Sequence, residues 1–167
     1  CEAGVESDPE ETGKTFEENA RIKAVAGMKA SGMPCIADDS GLEVLALDCR
    51  PGVMSARYSG SHGDDAANNE KLLAELADKP DRSARYVCII CMAFPDGREL
   101  EARGECYGEI LKEKRGNGGF GYDPLFYFPQ FGKTFAEISA EEKNEVSHRN
   151  AALKAFEKLW EKEINDK

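Results

Sequence analysis

Two adjacent carboxylates, Asp38 and Asp39, end an apolar strand-like run from Met33 to Ala37 and are followed by Ser40 and Gly41. Adjacent carboxylates repel each other and are costly to hold together without a cation, so the pair points to a hard-metal site. Asp, Ser and Gly are also common turn formers, and a solvated turn is the competing reading. A second candidate lies upstream. Thr15-Phe-Glu-Glu18 has the form of a capping box opening a helix that runs to about Ser31. Its apolar arc holds Phe16, Ala20, Ala24, Ala26, Gly27 and Ala30, and Asn19 and Lys23, four residues apart, sit inside that arc. A lysine on a buried face needs an anionic partner; a snorkelling lysine is the plainer alternative.

Further along, Gly116-Asn-Gly-Gly-Phe-Gly-Tyr-Asp-Pro124 is glycine-rich and carries Phe120, Gly121, Tyr122 and Asp123. It matches G-x-G-x-x-G, but a dinucleotide fold needs a helix directly after the glycines, and Leu125-Phe-Tyr-Phe128 reads as a strand. The loop can bring backbone close to a ligand and offer Phe120 and Tyr122 for stacking, or simply pack two aromatics into the core. Ser139-Ala-Glu-Glu142 is a second capping box, with Lys143 just inside its helix. His148-Arg149 then stands beside the start of the last helix, where it could read a nucleobase edge or a phosphate, or be merely solvated.

The elements that must position these residues follow from periodicity. After the strand ending at Asp38-Asp39, a second short strand is predicted from Leu42, and Asp64 or Asp65 caps a helix to about Ala77. Arg85 to Phe94 reads as a long apolar strand, Pro95-Asp96-Gly97 as a hairpin turn, and Glu99 to Ile110 as a strand with one wet face. The last helix carries an apolar stripe of Ala152, Phe156, Leu159 and Trp160.

The 167 residues suit one domain with a real core, and 32% charged with 41% apolar residues suits a globular chain. A net charge of −10 argues against broad nucleic-acid binding, and no apolar run reaches the length of a membrane span. Two histidines leave little for a His-rich zinc site. The six cysteines (Cys1, Cys35, Cys49, Cys88, Cys91 and Cys106) form no paired CxxC framework, which predicts reduced thiols and a cytoplasmic setting. P-loop and G-x-S-x-G motifs are absent from the sequence, so neither P-loop nor nucleophile-elbow chemistry is expected.

Five strings in order, Glu10 to Ala20, Ala37 to Gly41, Pro51 to Gly60, Gly118 to Pro124 and Glu142 to Arg149, together resemble the inosine triphosphate pyrophosphatase family, the XTP/dITP diphosphatases. The resemblance implies a two-lobed α/β fold with a long curved mixed β-sheet flanked by helices, usually a homodimer. It implies Mg²⁺-dependent hydrolysis of ITP, dITP or XTP to the monophosphate and pyrophosphate. Asp39 corresponds to the general base, with Glu11, Asp39 and Asp38 around the metal. Lys23 corresponds to a polyphosphate contact and Ser40 to a substrate-contacting hydroxyl. Phe120, Gly121, Tyr122 and Asp123 resemble the base pocket, and Lys143, His148 and Arg149 the groups that recognise the 6-oxo edge. The family's upstream Ser/Thr-Gly-Asn-x-x-Lys phosphate loop has no counterpart here, and the sequence opens without an initiator Met. The expectation is therefore one domain over residues 1–167, N-terminally incomplete and weakly active or inactive by itself. The alternatives are a related pyrophosphatase of other base preference and a fragment that binds nucleotide without turnover.

Overall fold

The computed structural model describes residues 7–165. Cys1, read above as a reduced thiol, lies outside the described residues. The first helix, α1 (Phe16–Ser31), begins at extended Thr15, whose side chain accepts from the Glu18 amide. The return limb of the expected capping box closes one residue earlier, because the Glu18 carboxylate takes the Lys14 amide. Gly32, at φ +68°, ends the helix in the left-handed conformation that glycine adopts without strain, and its N–H returns to the Met28 carbonyl. The buried face consists of Phe16, Asn19, Ala20 and Ala24.

Strand β1 (Cys35–Val44) carries the Asp38-Asp39-Ser40-Gly41 stretch through its middle. The sequence predicted an end there and a new strand at Leu42; the structure has one strand. Gly41 is not among the described glycines of positive φ, and the Leu42 amide is held by Ser55 Oγ at 2.9 Å. A 3₁₀ turn at Leu45–Leu47 replaces the end of the second predicted strand. There follow β2 (Arg50–Pro51), a 3₁₀ segment Gly52–Arg57, and α2 (Asp65–Glu75), capped by the Asp64 side chain on the Ala67 amide. Next come β3 (Ser83–Ala93), β4 (Glu99–Ile110), β5 (Phe126–Phe128), β6 (Lys133–Thr134), α3 (Ala140–Val146) and α4 (His148–Asn165). The predicted hairpin turn joins β3 to β4, with Phe94 N–H donating to the Arg98 carbonyl at 2.9 Å.

The strands form a six-stranded sheet in the order β2-β1-β3-β4-β5-β6. Antiparallel registers pair Glu43 with Pro51, Ile110 with Phe126, and Tyr127 with Thr134. The α/β class expected from the sequence is thus the observed one. The chain divides into two compact units: Cys1–Ser40, Cys88–Gly104 and His148–Lys167 in one, Gly41–Val87 and Glu105–Ser147 in the other. In the first unit Cys88, Ile90 and Ala152 form a buried cluster with Phe156 against it, and Phe94 stacks on Trp160 at 6.3 Å. The second unit has the larger core, in which Tyr86, Phe126 and Phe135 pack ring to ring at 4.6 to 5.9 Å.

Candidate active site

In the first unit α1 and β1 bring three charged groups together. Lys23 Nζ lies 2.8 Å from Asp39 Oδ1 and 2.8 Å from Glu11 Oε1. Asn19, one turn before Lys23 and fully buried, donates from Nδ2 to Asp39 Oδ2 at 3.3 Å and accepts at Oδ1 from the Gly13 amide at 2.8 Å. The amide therefore ties the loop after Glu11 to the strand carboxylate. Burial pushes the Asp39 carboxyl above its usual range, and this outweighs the opposing pull of the Lys23 ammonium and the Asn19 amide. For Lys23 burial disfavours the charge, but the bonds from Asp39 and Glu11 outweigh it and hold its pKa above the ordinary lysine value. Asp39 thus combines partial burial with raised basicity.

Asp38 goes elsewhere. Successive side chains of a strand point to opposite faces. Asp38 accordingly meets Arg149 of α4, at 2.8 Å from Nη2 and 3.3 Å from Nε, with the Cys88 thiol at 3.8 Å. By the same alternation Ser40 lies on Asp38's face. Burial, with the Asp38 charge, pushes the Cys88 thiol up to about 12. The Asp38–Arg149 pair borders a cavity of about 200 Å³ otherwise lined by Ile36, Ala37, Ile90 and Leu153. His148 opens α4, with its carbonyl packed toward Gly104.

The three-carboxylate set of Glu11, Asp38 and Asp39 does not come together, and strand alternation is the reason. Among the described residues no group of three or more His, Cys, Asp or Glu side chains could hold a metal ion. Glu11 and Asp39 still converge within reach of one ammonium. Mg²⁺ is commonly held by one or two carboxylates completed by substrate phosphates, so this oxygen pair fits it.

In the second unit the glycine-rich loop and α3 make another cluster. Asp123 is 1% exposed, and its carboxylate takes the Lys143 ammonium, the Phe120 amide at 3.0 Å and the Tyr86 hydroxyl at 3.3 Å. Burial and the adjacent Asp123 charge raise the Tyr86 pKa far above its ordinary value, so the hydroxyl remains a donor. Lys143 Nζ stands 4.3 Å from the centroid of the Phe120 ring, which is 69% exposed. The Asp123 carboxylate is enclosed by its own donors and orients Lys143. Tyr122, expected to offer a stacking face, is 3% exposed and donates its hydroxyl to the Ser55 carbonyl at 3.0 Å. Of these two rings, Phe120 is the one that presents an aromatic face.

Sequence reasoning noticed Asn19 but gave it no role, and its four-residue spacing from Lys23 on an apolar arc was the signal. It gave no site role to Tyr86, to Asn69 or to Asp65, which it read only as a candidate helix cap. Tyr86 reads as one more core aromatic, and only the fold sets it against Asp123. Asp65 and Asn69 contact Gly121 across more than 50 residues, which no local pattern records.

Fold and clusters define an α/β protein with a lysine-bridged carboxylate pair in one unit and a lysine–aromatic–carboxylate cluster in the other. A family model described as the Ham1 family matches residues 2–159, and the chain belongs to that family. A relative from Desulfotalea psychrophila (strain LSv54 / DSM 12343), named dITP/XTP pyrophosphatase, is 61% identical over 143 residues, which cover 86% of this chain and 64% of that protein. The chain thus spans a little under two thirds of that relative's length. The solved structure of the Staphylococcus aureus Ham1 protein superposes with a TM-score of 0.89 at 49% identity, covering 93% of this chain and 81% of that one. A Ham1 protein from Coxiella burnetii gives 0.90 at 45% identity, covering 96% and 83%.

Proposed function

We propose that the chain belongs to an enzyme that hydrolyses deaminated purine nucleoside triphosphates (ITP, dITP and XTP) to the monophosphate and pyrophosphate. The observation that carries this reading is the bridge of Lys23 between Asp39 and Glu11, with Asn19 holding Asp39 from its other oxygen. Asp39 accepts the proton of the attacking water, and its raised pKa brings it closer to the range where a carboxylate is an effective base. Lys23 offers a positive charge to the polyphosphate in a partly desolvated setting. Glu11 and Asp39 would hold Mg²⁺, which supplies neutralisation of the charge that builds on the pyrophosphate leaving group.

In the second unit Phe120 offers a face for the base, and Lys143, oriented by Asp123, donates to a 6-oxo acceptor. Adenine presents an amino donor there and would leave the ammonium unpaired, which is the strong form of discrimination. In the first unit, His148 and Arg149 are assigned to the 6-oxo edge by the family resemblance, and Arg149 is engaged by Asp38. Ser40 is assigned a substrate contact. The same reading includes a homodimer acting on the cytoplasmic nucleotide pool, independent of nucleic acid and of membranes. Five cysteines are free among the described residues, and no helix there is long and apolar enough to cross a membrane.

The test is pyrophosphate release from ITP, dITP, XTP, GTP, dTTP and ATP with Mg²⁺, for the chain and for Asp39→Asn. We expect the 6-oxo purines to be preferred. The variant should lose about 10²-fold or more in turnover, the range of a lost general base, with an unchanged circular dichroism spectrum. Unchanged turnover of Asp39→Asn would falsify the general-base role. Nucleotide binding without turnover would support the binding-only alternative.

A further inference from the structure

The first two turns of α2 grip the glycine-rich loop at one residue. Asp65 Oδ2 accepts from the Gly121 amide at 2.6 Å, and Asn69 Nδ2 donates to the Gly121 carbonyl at 2.8 Å. Residues four apart share a helix face, so one face supplies both contacts. Asn69 is 2% exposed and also donates to the Asp65 carbonyl at 2.6 Å, which anchors the grip within the helix itself. Gly121 has φ +59°, a conformation that side chains rarely adopt. On the other side of Phe120, its own amide is held by Asp123, and a Cβ on Gly119 would fall 2.1 Å from the Asp123 carboxylate. The backbone around Phe120 is therefore pinned while the ring remains exposed. A platform ordered before its ligand arrives saves the ordering cost on binding.

We propose that Asp65 and Asn69 are positioning residues that act through Gly121 to hold the Phe120 platform and so set affinity for the purine base. The inference rests on the reading of Phe120 as the face that meets the base. An acidic residue in the first turn of a helix also favours the helix dipole, and that purely structural role would leave base affinity unmoved.

The test measures the Gly121 amide exchange rate by NMR, the Kd of inosine monophosphate by calorimetry, and KM and kcat for ITP. These are taken for the chain, Asp65→Ala, Asp65→Asn, Phe120→Ala and the Asp65→Ala/Phe120→Ala double variant. In Asp65→Ala we expect Gly121 exchange to quicken about tenfold or more. Kd and KM should rise about tenfold while kcat stays within about threefold. Asp65→Asn, which keeps an acceptor oxygen, should restore most of the affinity. In the Phe120→Ala background Asp65→Ala should change Kd little, because both act on one platform. Unchanged Gly121 exchange, an unchanged Kd, independent multiplication of the two effects, or no binding of inosine monophosphate to the unsubstituted chain would each overturn the proposal. If the chain binds the monophosphate but does not cleave ITP, the hydrolytic reading fails and the Kd comparisons still decide this one.

Discussion

Lys23 is the residue on which the acidic cluster depends. Its ammonium separates two carboxylates that would otherwise face each other in a partly buried place, with Lys23 25% and Asp39 11% exposed at the side chain. Removing one member of such a group leaves the others uncompensated, which costs more than the net worth of the pairing. Lys23→Met should therefore lower unfolding stability by about 1–2 kcal/mol, less than for a fully buried pair because solvent still screens the site. Mg²⁺ should restore more of the melting temperature in the variant than in the parent, because a cation can take the ammonium's place between Asp39 and Glu11. A thermal shift with and without Mg²⁺ checks this; equal shifts in both proteins would remove Glu11 and Asp39 as its ligands. The position was visible in the sequence as a lysine on an apolar arc. Its two partners were not, since Asp39 arrives from the neighbouring strand and Glu11 from the loop before α1.

At the scale of elements, β1 decides the fate of the acidic pair and β4 the seat of α4. An extended backbone sends Asp38 toward Arg149 and Asp39 toward Lys23, whereas the turn considered at first would have left both in solvent. Capping residues and alternation placed α1, α2, α3 and β4 close to their observed bounds, because those signals act within a few residues. The continuity of β1 was hidden because Asp, Ser and Gly read locally as a break. Gly104 of β4 lies directly beneath α4. A Cβ there would come 2.1 Å from the Ala152 amide nitrogen and 2.2 Å from the His148 carbonyl, both backbone atoms that cannot swing aside. Gly104→Ala should cost about 1–3 kcal/mol, the range for overpacking, as read by urea unfolding. A variant as stable as the parent would show that α4 is free to lift from β4.

Across the whole molecule the buried thiols give stability a definite pH dependence. Burial lifts Cys88 to about 12 and Cys91 and Cys106 to about 11, each from an ordinary 9.0. A group whose folded pKa is raised binds its proton more tightly in the folded state. Its contribution is thus whole below the unfolded value and is lost as pH rises through the folded one. Between about pH 9 and 11 the unfolded chain carries fewer protons, so stability should fall by roughly 1.4 kcal/mol per pH unit for each thiol. The buried Tyr86 and Tyr122 hydroxyls, also raised by burial, act in the same direction. Urea unfolding at pH 8 and pH 10.5 measures the slope, and Cys88→Ala should flatten it. A slope unaffected by that replacement would mean that the Cys88 thiol does not contribute.

The amino-acid sequence by itself determined α1, α2, β3 and β4, because capping, alternation and glycine placement are local. It also placed the chain near the XTP/dITP diphosphatases, because five short strings stand in family order. It left Asp38 and Asp39 as an undivided pair and Lys23 between two readings. Only the tertiary structure separated the carboxylates onto two faces of β1, gave Lys23 its two anions, and enclosed Asp123 behind Lys143, Tyr86 and the Phe120 amide. The physical reason is separation along the chain. Asp38 and Arg149 lie 111 residues apart, and no local propensity carries a contact of that span.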